Sequence, residues 1–199
     1  MSGAFGFWQA WLYLIVSLAA SALIIVYLRL ADPKLLERRM RGPLPERELS
    51  QNLIQLAALA LLVGTIVLSL LDHRFSWSRL PQCAAIVGFA MLAISYLIIF
   101  LSLRENTFAA VNIEVEPGQT VISTGPYAIV RHPYYLGLIL WIIATPLALG
   151  SCWGLVTLVP MLLVIAERIA YEERFLKDQL RGYGDYCKRV RFRLLPLVW

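Results

Sequence analysis

The sequence predicts an all-α integral membrane protein of five transmembrane helices, and three observations lead there. Apolar residues make up 59% of the chain and charged residues only 16%, against about 25% charged in a soluble domain. The apolar residues gather into blocks near the ~20 residues needed to cross a hydrocarbon core. The basic residues fall almost entirely in every second connection between those blocks, as they do when topology rather than nucleic acid sets their place.

The first block, 7–28, has no basic stretch before it and is as long as a span, so it reads as a retained helix rather than a cleaved signal. Segment 31–50, "ADPKLLERRMRGPLPERELS", reads as a short interfacial helix broken at Gly42-Pro43, equally compatible with a solvated loop and with a binding element. Blocks 51–71 and 82–103 follow, joined by the short loop 72–81. Residues 104–133 form a polar connection with turn signals at Pro117-Gly118 and Gly125-Pro126.

The fourth block, 134–150, is the shortest. Pro133 suits its first turn, where a missing N–H is harmless, and Pro146 is expected to kink it near its outer end. A tight turn at Ser151 and Cys152 leads to the fifth block, 153–171. That helix should run on out of the membrane through "ERIAYEERFLKDQL" to about Gly182, before a basic, aromatic tail. No internal repeat or low-complexity segment appears.

Sixteen of the eighteen Lys and Arg residues lie in segments 29–50, 104–133 and 168–193; the other two, Arg74 and Arg79, lie in loop 72–81. The crowded side should be cytoplasmic, with the N-terminus outside and the C-terminus inside. Trp8, Trp11, Trp77 and Trp153 then fall near the outer face, as an aromatic belt would. The net charge of +5 is accounted for by these flanks and by anionic lipid, and nucleic acid is not expected as a partner. Cys83, Cys152 and Cys187 form no CxxC and no Cys/His cluster, so no metal site is expected. Cys83 and Cys152 both fall towards the outer face, which leaves a pairing open.

The polar, aromatic stretch "GPYAIVRHPYYLG", residues 125–137, stands at the mouth of the fourth span. A tight turn makes spans four and five an antiparallel hairpin, and positions equally far either side of the turn share a depth. Arg131 should lie level with Glu172, His132 with Tyr171 and Tyr135 with Arg168. Arg168 and Glu172 are four apart and share a helix face, while the first amides of span four favour an anion there. Each residue alone reads equally well as an interfacial anchor. Together they make a pocket with both charge signs, suited to a zwitterionic cofactor or to an acceptor with a polar head and a lipid tail. No GxGxxG after a strand, no P-loop and no GxSxG elbow accompanies it. His132 lacks Ser/Asp companions and reads as a hydrogen-bonding or structural residue, not a triad base.

The elements RHPxYxG, EExxL and "GYGDYCKRVRFRLLP", spread over residues 104–199, resemble the membrane methyltransferases typified by isoprenylcysteine carboxyl methyltransferase, with the phospholipid N-methyltransferases as relatives. The resemblance implies a division into 1–103, three spans for embedding and substrate access, and 104–199, the catalytic region. It implies an S-adenosylmethionine site, with S-adenosylhomocysteine as product, contacted by Gln119, Thr120, Val121, Ile122, Tyr127, His132, Pro133, Tyr134, Tyr135 and Glu172. A more distant loop contact falls on Asn112. Arg168 becomes the substrate-side arginine, and Arg168 with Glu172 the catalytic pair. The acceptor would be a membrane lipid or lipidated small molecule, methylated on a carboxylate held by Arg168.

Ile169, Ala170 and Tyr171 stand where the eukaryotic enzymes carry an acidic run, a departure that argues against a prenylated protein as the acceptor. The short loop 72–81 and the absence of extra spans point to a compact prokaryotic-type member, expected in an inner membrane. Methyl transfer to a lipid amine is the alternative and would need a base, Glu167 or Glu173. The tail from Gly182 to Pro196 would close over the cofactor. Two further readings are weighed. Membrane sterol reductases, which use NADPH, share a similar C-terminal half, but Leu138 stands where they typically have an acidic residue. A non-catalytic binding protein would keep the fold while losing the Arg168/Glu172 pair, and both residues are present.

Overall fold

A computed structural model describes residues 6–40, 49–196 and 198–199. The described residues form helices α1 (Trp8–Ala31), α2 (Pro33–Met40), α3 (Leu49–Phe75), α4 (Gln82–Glu105), α5 (Pro133–Ala148), α6 (Leu158–Gln179) and α7 (Tyr183–Arg189), with 3₁₀ turns at Gly125–Ala128 and Trp153–Thr157. Four are long and apolar enough to cross a membrane, counting Trp153–Gln179 as one, and α5 is a shorter apolar helix. The protein is an all-α integral membrane protein. Leu18 and Leu23 on α1, and Leu53, Leu56 and Leu59 on α3, are exposed, which suits contact with hydrocarbon and not with water. The Gly42-Pro43 break falls outside the described residues.

α4 and α5 pack backbone to backbone, and small residues make that possible. A Cβ at Gly88 would collide with the main chain at Leu147 and Ala148. One at Gly137 would sit 2.7 Å from Ile99 Cγ1, and the Ser95 hydroxyl donates to the Gly137 carbonyl at 2.8 Å. Leu92, Ala144, Ala148 and Leu149 fill the seam, joined by Tyr13 of α1, whose hydroxyl lies 3.2 Å from Thr145 Oγ1. α5 continues two residues past Pro146, and Gly150, in the left-handed region at φ 70°, stands just beyond its end. This seam fixes α5, and with it the "RHPYY" mouth at its start.

α6 joins α5 through the Gly150–Cys152 turn and the 3₁₀ turn, which lies along α3. The Thr65 and Thr157 hydroxyls are 2.6 Å apart, and Gly154 leaves room for Ser69. Asp72, fully buried, ties this end together. Its carboxylate accepts from Ser78 N (2.7 Å), Ser78 Oγ (2.6 Å), Ser151 Oγ (2.6 Å) and Trp153 N (3.2 Å). Replacing Asp72 with Ala leaves those donors without an acceptor, at about 1–3 kcal/mol for each buried group. Asp72→Ala is expected to lower the thermal midpoint in detergent by several degrees, read by intrinsic tryptophan fluorescence; an unchanged midpoint would show the knot to be dispensable.

Trp77 and Trp153 meet edge to face at 6.0 Å at this same end, and Trp8 stacks on Phe89 at 6.4 Å. Cys83 and Cys152 are separate, exposed free thiols. At the other end lie α2, the 106–132 connection, α7 and the tail. The tail closes on the hairpin: Arg131 N donates to Phe192 O and His132 N to Arg193 O, both at 2.9 Å. Leu194 joins Ile142, Met161, Ile165 and Ile169 in the core between α5 and α6.

Candidate active site

The α5–α6 hairpin brings the two sequence clusters together, with pairings offset from the level expectation by up to one helical turn. Tyr135, expected level with Arg168, donates to Glu172 Oε2 at 2.9 Å and also hydrogen-bonds the Arg168 side chain. Helical side chains lean towards their own N-terminus. Tyr135 on α5 therefore leans towards the mouth, whereas Glu172 on α6 leans inward to meet it. Arg168 leans deeper still. It is 6% exposed, and it donates to Gln51 Oε1 and to the Val111 carbonyl, each at 3.0 Å.

The neighbouring glutamates have different surroundings. Glu173 is 2% exposed and accepts from basic side chains: the cations Arg131 (Nε at 2.7 Å) and Arg193 (Nη2 at 3.2 Å), with Lys177 Nζ at 4.0 Å, and the His132 imidazole (Nε2 at 3.2 Å). Glu172 keeps about a quarter of its side chain exposed, with His132 Nδ1 at 3.9 Å. His132 is thus buried between the two acids and anchored on Glu173.

A polar cavity of about 110 Å³ opens at the mouth, bounded by the 106–119 connection, Tyr127, Arg131, His132, Tyr135, Arg168 and Glu172. A second, of about 60 Å³, lies beneath Gln119–Ile122 and faces Leu180, Tyr183 and Tyr186. Gln119, Tyr127, His132 and Glu172 line both. Thr120, Val121 and Ile122 line the second, Tyr134, Tyr135 and Asn112 the first. Pro133 lines neither; it is buried in the first turn of α5. Glu167 is exposed and Glu173 is enclosed by its cations, so neither proposed base reaches a cavity.

Burial raises the Tyr127 phenol to about 12, with the Asn106 hydrogen bond pulling the other way. Burial likewise raises Tyr183 and Tyr186. All three stay neutral, and the Tyr186 hydroxyl donates to the Tyr127 carbonyl at 2.8 Å. α7 is thereby fastened against the connection that it covers.

A third cavity, about 520 Å³ and mostly apolar, runs from the mouth between α3, α5 and α6, lined by residues such as Leu59, Leu62, Leu138 and Met161. It shares Arg39, Ala110, Val111, Tyr134, Tyr135 and Arg168 with the polar cavity. Arg39 and Gln51 belong to the N-terminal region and escaped the sequence reading. Arg39 donates to the Ala109 carbonyl (3.0 Å) and to the Tyr134 hydroxyl (2.6 Å), with its guanidinium 4.8 Å from that ring's centroid. Its neighbour Arg38 donates to the Thr107 carbonyl (2.8 Å) and pairs with Glu116 at 3.3 Å. The signal available was the short polar helix expected in segment 31–50, which reads equally well as a solvated loop and as a binding element.

Comparison with known proteins fits this arrangement. The chain is similar to protein-S-isoprenylcysteine O-methyltransferase B of Arabidopsis thaliana, 34% identical over 82 residues, 40% of this chain and 42% of that one. It is similar to a probable protein-S-isoprenylcysteine O-methyltransferase of Oryza sativa subsp. indica, 33% identical over 84 residues, 40% and 43% of the two chains. It is also similar to a Delta(14)-sterol reductase of Mus musculus, 30% identical over 113 residues, 48% of this chain and 26% of that one. The matches span less than half the length of each relative. The phospholipid methyltransferase family matches residues 83–183, from the start of α4 through the polar connection and the hairpin into α7. That stretch is just over half of the sequence and contains most of the polar-cavity lining, and the chain belongs to the phospholipid methyltransferase family.

Proposed function

We propose that the protein is an S-adenosylmethionine-dependent methyltransferase of the membrane, acting on the carboxylate of a lipid-like or prenylated acceptor. The observation that carries this is the junction of a polar and an apolar cavity at Arg168. The donor set suits the cofactor. Glu172 offers a carboxylate for its ammonium or ribose, and Val121, Ile122, Tyr183 and Tyr186 offer an apolar, aromatic wall for a flat heterocycle. The two polar cavities fall well short of the ~300 Å³ usual for a ligand of that size. The Gln119 wall between them, with the rest of the connection, would therefore part on binding.

When bound, the cofactor supplies an electrophilic methyl on a sulfonium. The chain's own tasks are placement and exclusion of water. Arg168 would hold the acceptor carboxylate through a two-pronged, charge-assisted contact. Its lipid chain would lie in the groove along Leu59, Leu62 and Met161 and enter from the bilayer between helices. Residues 104–199 supply the cofactor site, and the first three spans supply embedding and one wall of the groove. The positive flanks support a cytoplasmic site, with the N-terminus outside. Methylation of a lipid amine is less favoured, because neither Glu167 nor Glu173 reaches a cavity to take its proton.

Calorimetric titration of S-adenosylhomocysteine onto purified protein tests the reading. Glu172→Ala should weaken binding about tenfold, the value of one charge-assisted contact. Unchanged affinity would sink the Glu172 assignment. Thermal stabilisation by NADPH instead of S-adenosylhomocysteine would favour a reductase.

A further inference from the structure

We infer that Arg39 is a specificity-determining residue that, with Arg168, makes the acceptor's doorway cationic and selects an anionic headgroup over an ammonium. The inference rests on the methyltransferase reading above and adds a residue that neither the sequence motifs nor the family match reaches, since α2 lies outside residues 83–183.

The argument begins with which charges stand at the junction. Arg39 and Arg168 line both the polar cavity and the apolar groove. Glu172 lines only the polar cavities, and the groove itself is lined by no carboxylate among the described residues. A headgroup arriving along the groove therefore meets two guanidiniums before it meets an acid. At a membrane edge those charges are weakly screened, so their sign discriminates strongly between a carboxylate and an ammonium.

Arg39 is free to serve a ligand in a way that Arg38 is not. Arg38 is committed to Glu116, whereas among the described residues the partners of Arg39 are the Ala109 carbonyl and the Tyr134 phenol, both neutral. Neutral partners leave the guanidinium's charge available to an anion. The stack on Tyr134 holds the planar fork in place. Tyr134 itself stands on the first turn of α5, beside Tyr135 at 6.1 Å between ring centroids. The doorway is thus built on the same helix start as the site, with α2 supplying the second cation.

The test uses the full-length protein in detergent and two probes of one chain length: N-acetyl-S-farnesylcysteine, an anion, and S-farnesylcysteamine, a cation. Binding is read by tryptophan fluorescence, and S-adenosylhomocysteine binding by calorimetry. Arg39→Gln is expected to weaken the anionic probe by about tenfold or more, to leave or improve the cationic probe, and to leave S-adenosylhomocysteine affinity unchanged. Arg39→Lys should retain most of the preference because it keeps the charge, and Arg39→Glu should invert it. An equal loss for both probes, a loss of S-adenosylhomocysteine binding, or no change at all in Arg39→Gln would overturn the inference. The two readings fail separately. A wild-type protein that ignores S-adenosylhomocysteine defeats the methyltransferase reading, while the ratio of the two probe affinities still decides the role of Arg39.

Discussion

Glu173→Gln is expected to destabilise the protein by about 3–5 kcal/mol, because it removes the carboxylate that compensates the buried Arg131 guanidinium and the Arg193 guanidinium beside it. Arg131 and His132 are nearly enclosed, with side chains 8% and 4% exposed, and both lie within 3.2 Å of Glu173. Arg193 reaches the same carboxylate from the tail at 3.2 Å. Gln preserves shape and some hydrogen bonding but not the charge, so the Arg131 and Arg193 guanidiniums are left facing each other in a low-dielectric site. The damage should be local first. Arg131 also donates to the carbonyls of Val190 (3.0 Å) and Cys187 (3.4 Å), and its main chain pairs with Phe192. Loosening Arg131 therefore releases α7 and the tail from the hairpin. The Cys187 thiol is half-buried, and burial raises its pKa, so in the intact protein it should react slowly with maleimide. In a background with Cys83 and Cys152 changed to Ser, Glu173→Gln should speed that reaction at least about tenfold and lower the thermal midpoint. Equal reaction rates in the two proteins would show that the cations are compensated by other means.

The same cluster shows how far the sequence could be read. Hairpin geometry was enough to bring Arg131, His132 and Tyr135 to the level of residues 168–173, because both helices have a common rise and the turn between them is tight. It could not say which of two adjacent glutamates faces the cavity and which faces the cations. They stand about 100° apart around α6, and only packing against the tail and the lean of the side chains decide that Glu173 turns inward to Arg131 while Glu172 meets Tyr135. The five-helix architecture was legible for a similar reason: span length and charge placement are set by the bilayer rather than by tertiary detail. Asp72 carried no such signal. A single acid beside a short loop is ordinary, and its importance comes from four donors delivered by residues 78, 151 and 153. Arg39 and Gln51 were hidden because their partners lie 70 to 117 residues away along the chain, further than any helical periodicity reaches. Read locally, α2 is only a polar helix with two arginines in its last turn.

Arg168→Ala should lower methyl transfer about a hundredfold or more, the scale found when one positioned donor to a reacting anion is removed, while S-adenosylhomocysteine affinity stays close to wild type. The split follows from position. Arg168 lies where the polar cavity opens into the groove and is absent from the lining beneath Gln119–Ile122, whereas Glu172 lines both polar cavities and not the groove. Acceptor and cofactor should thus depend on different residues one helical turn apart. Arg168 also holds Gln51 and the Val111 carbonyl, so loss of activity in the Ala variant alone would not separate recognition from scaffolding. Arg168→Lys makes that separation. Lys keeps the charge but not the planar fork, so it should leave the thermal midpoint near that of wild type and raise KM for the acceptor. It should recover only part of kcat. Gln51→Ala removes the partner that orients the guanidinium without touching its charge, and should raise KM with a smaller fall in kcat. A cofactor affinity that falls in Arg168→Ala as steeply as in Glu172→Ala would mean that the two residues serve one ligand. The carboxylate acceptor would then have to be held elsewhere.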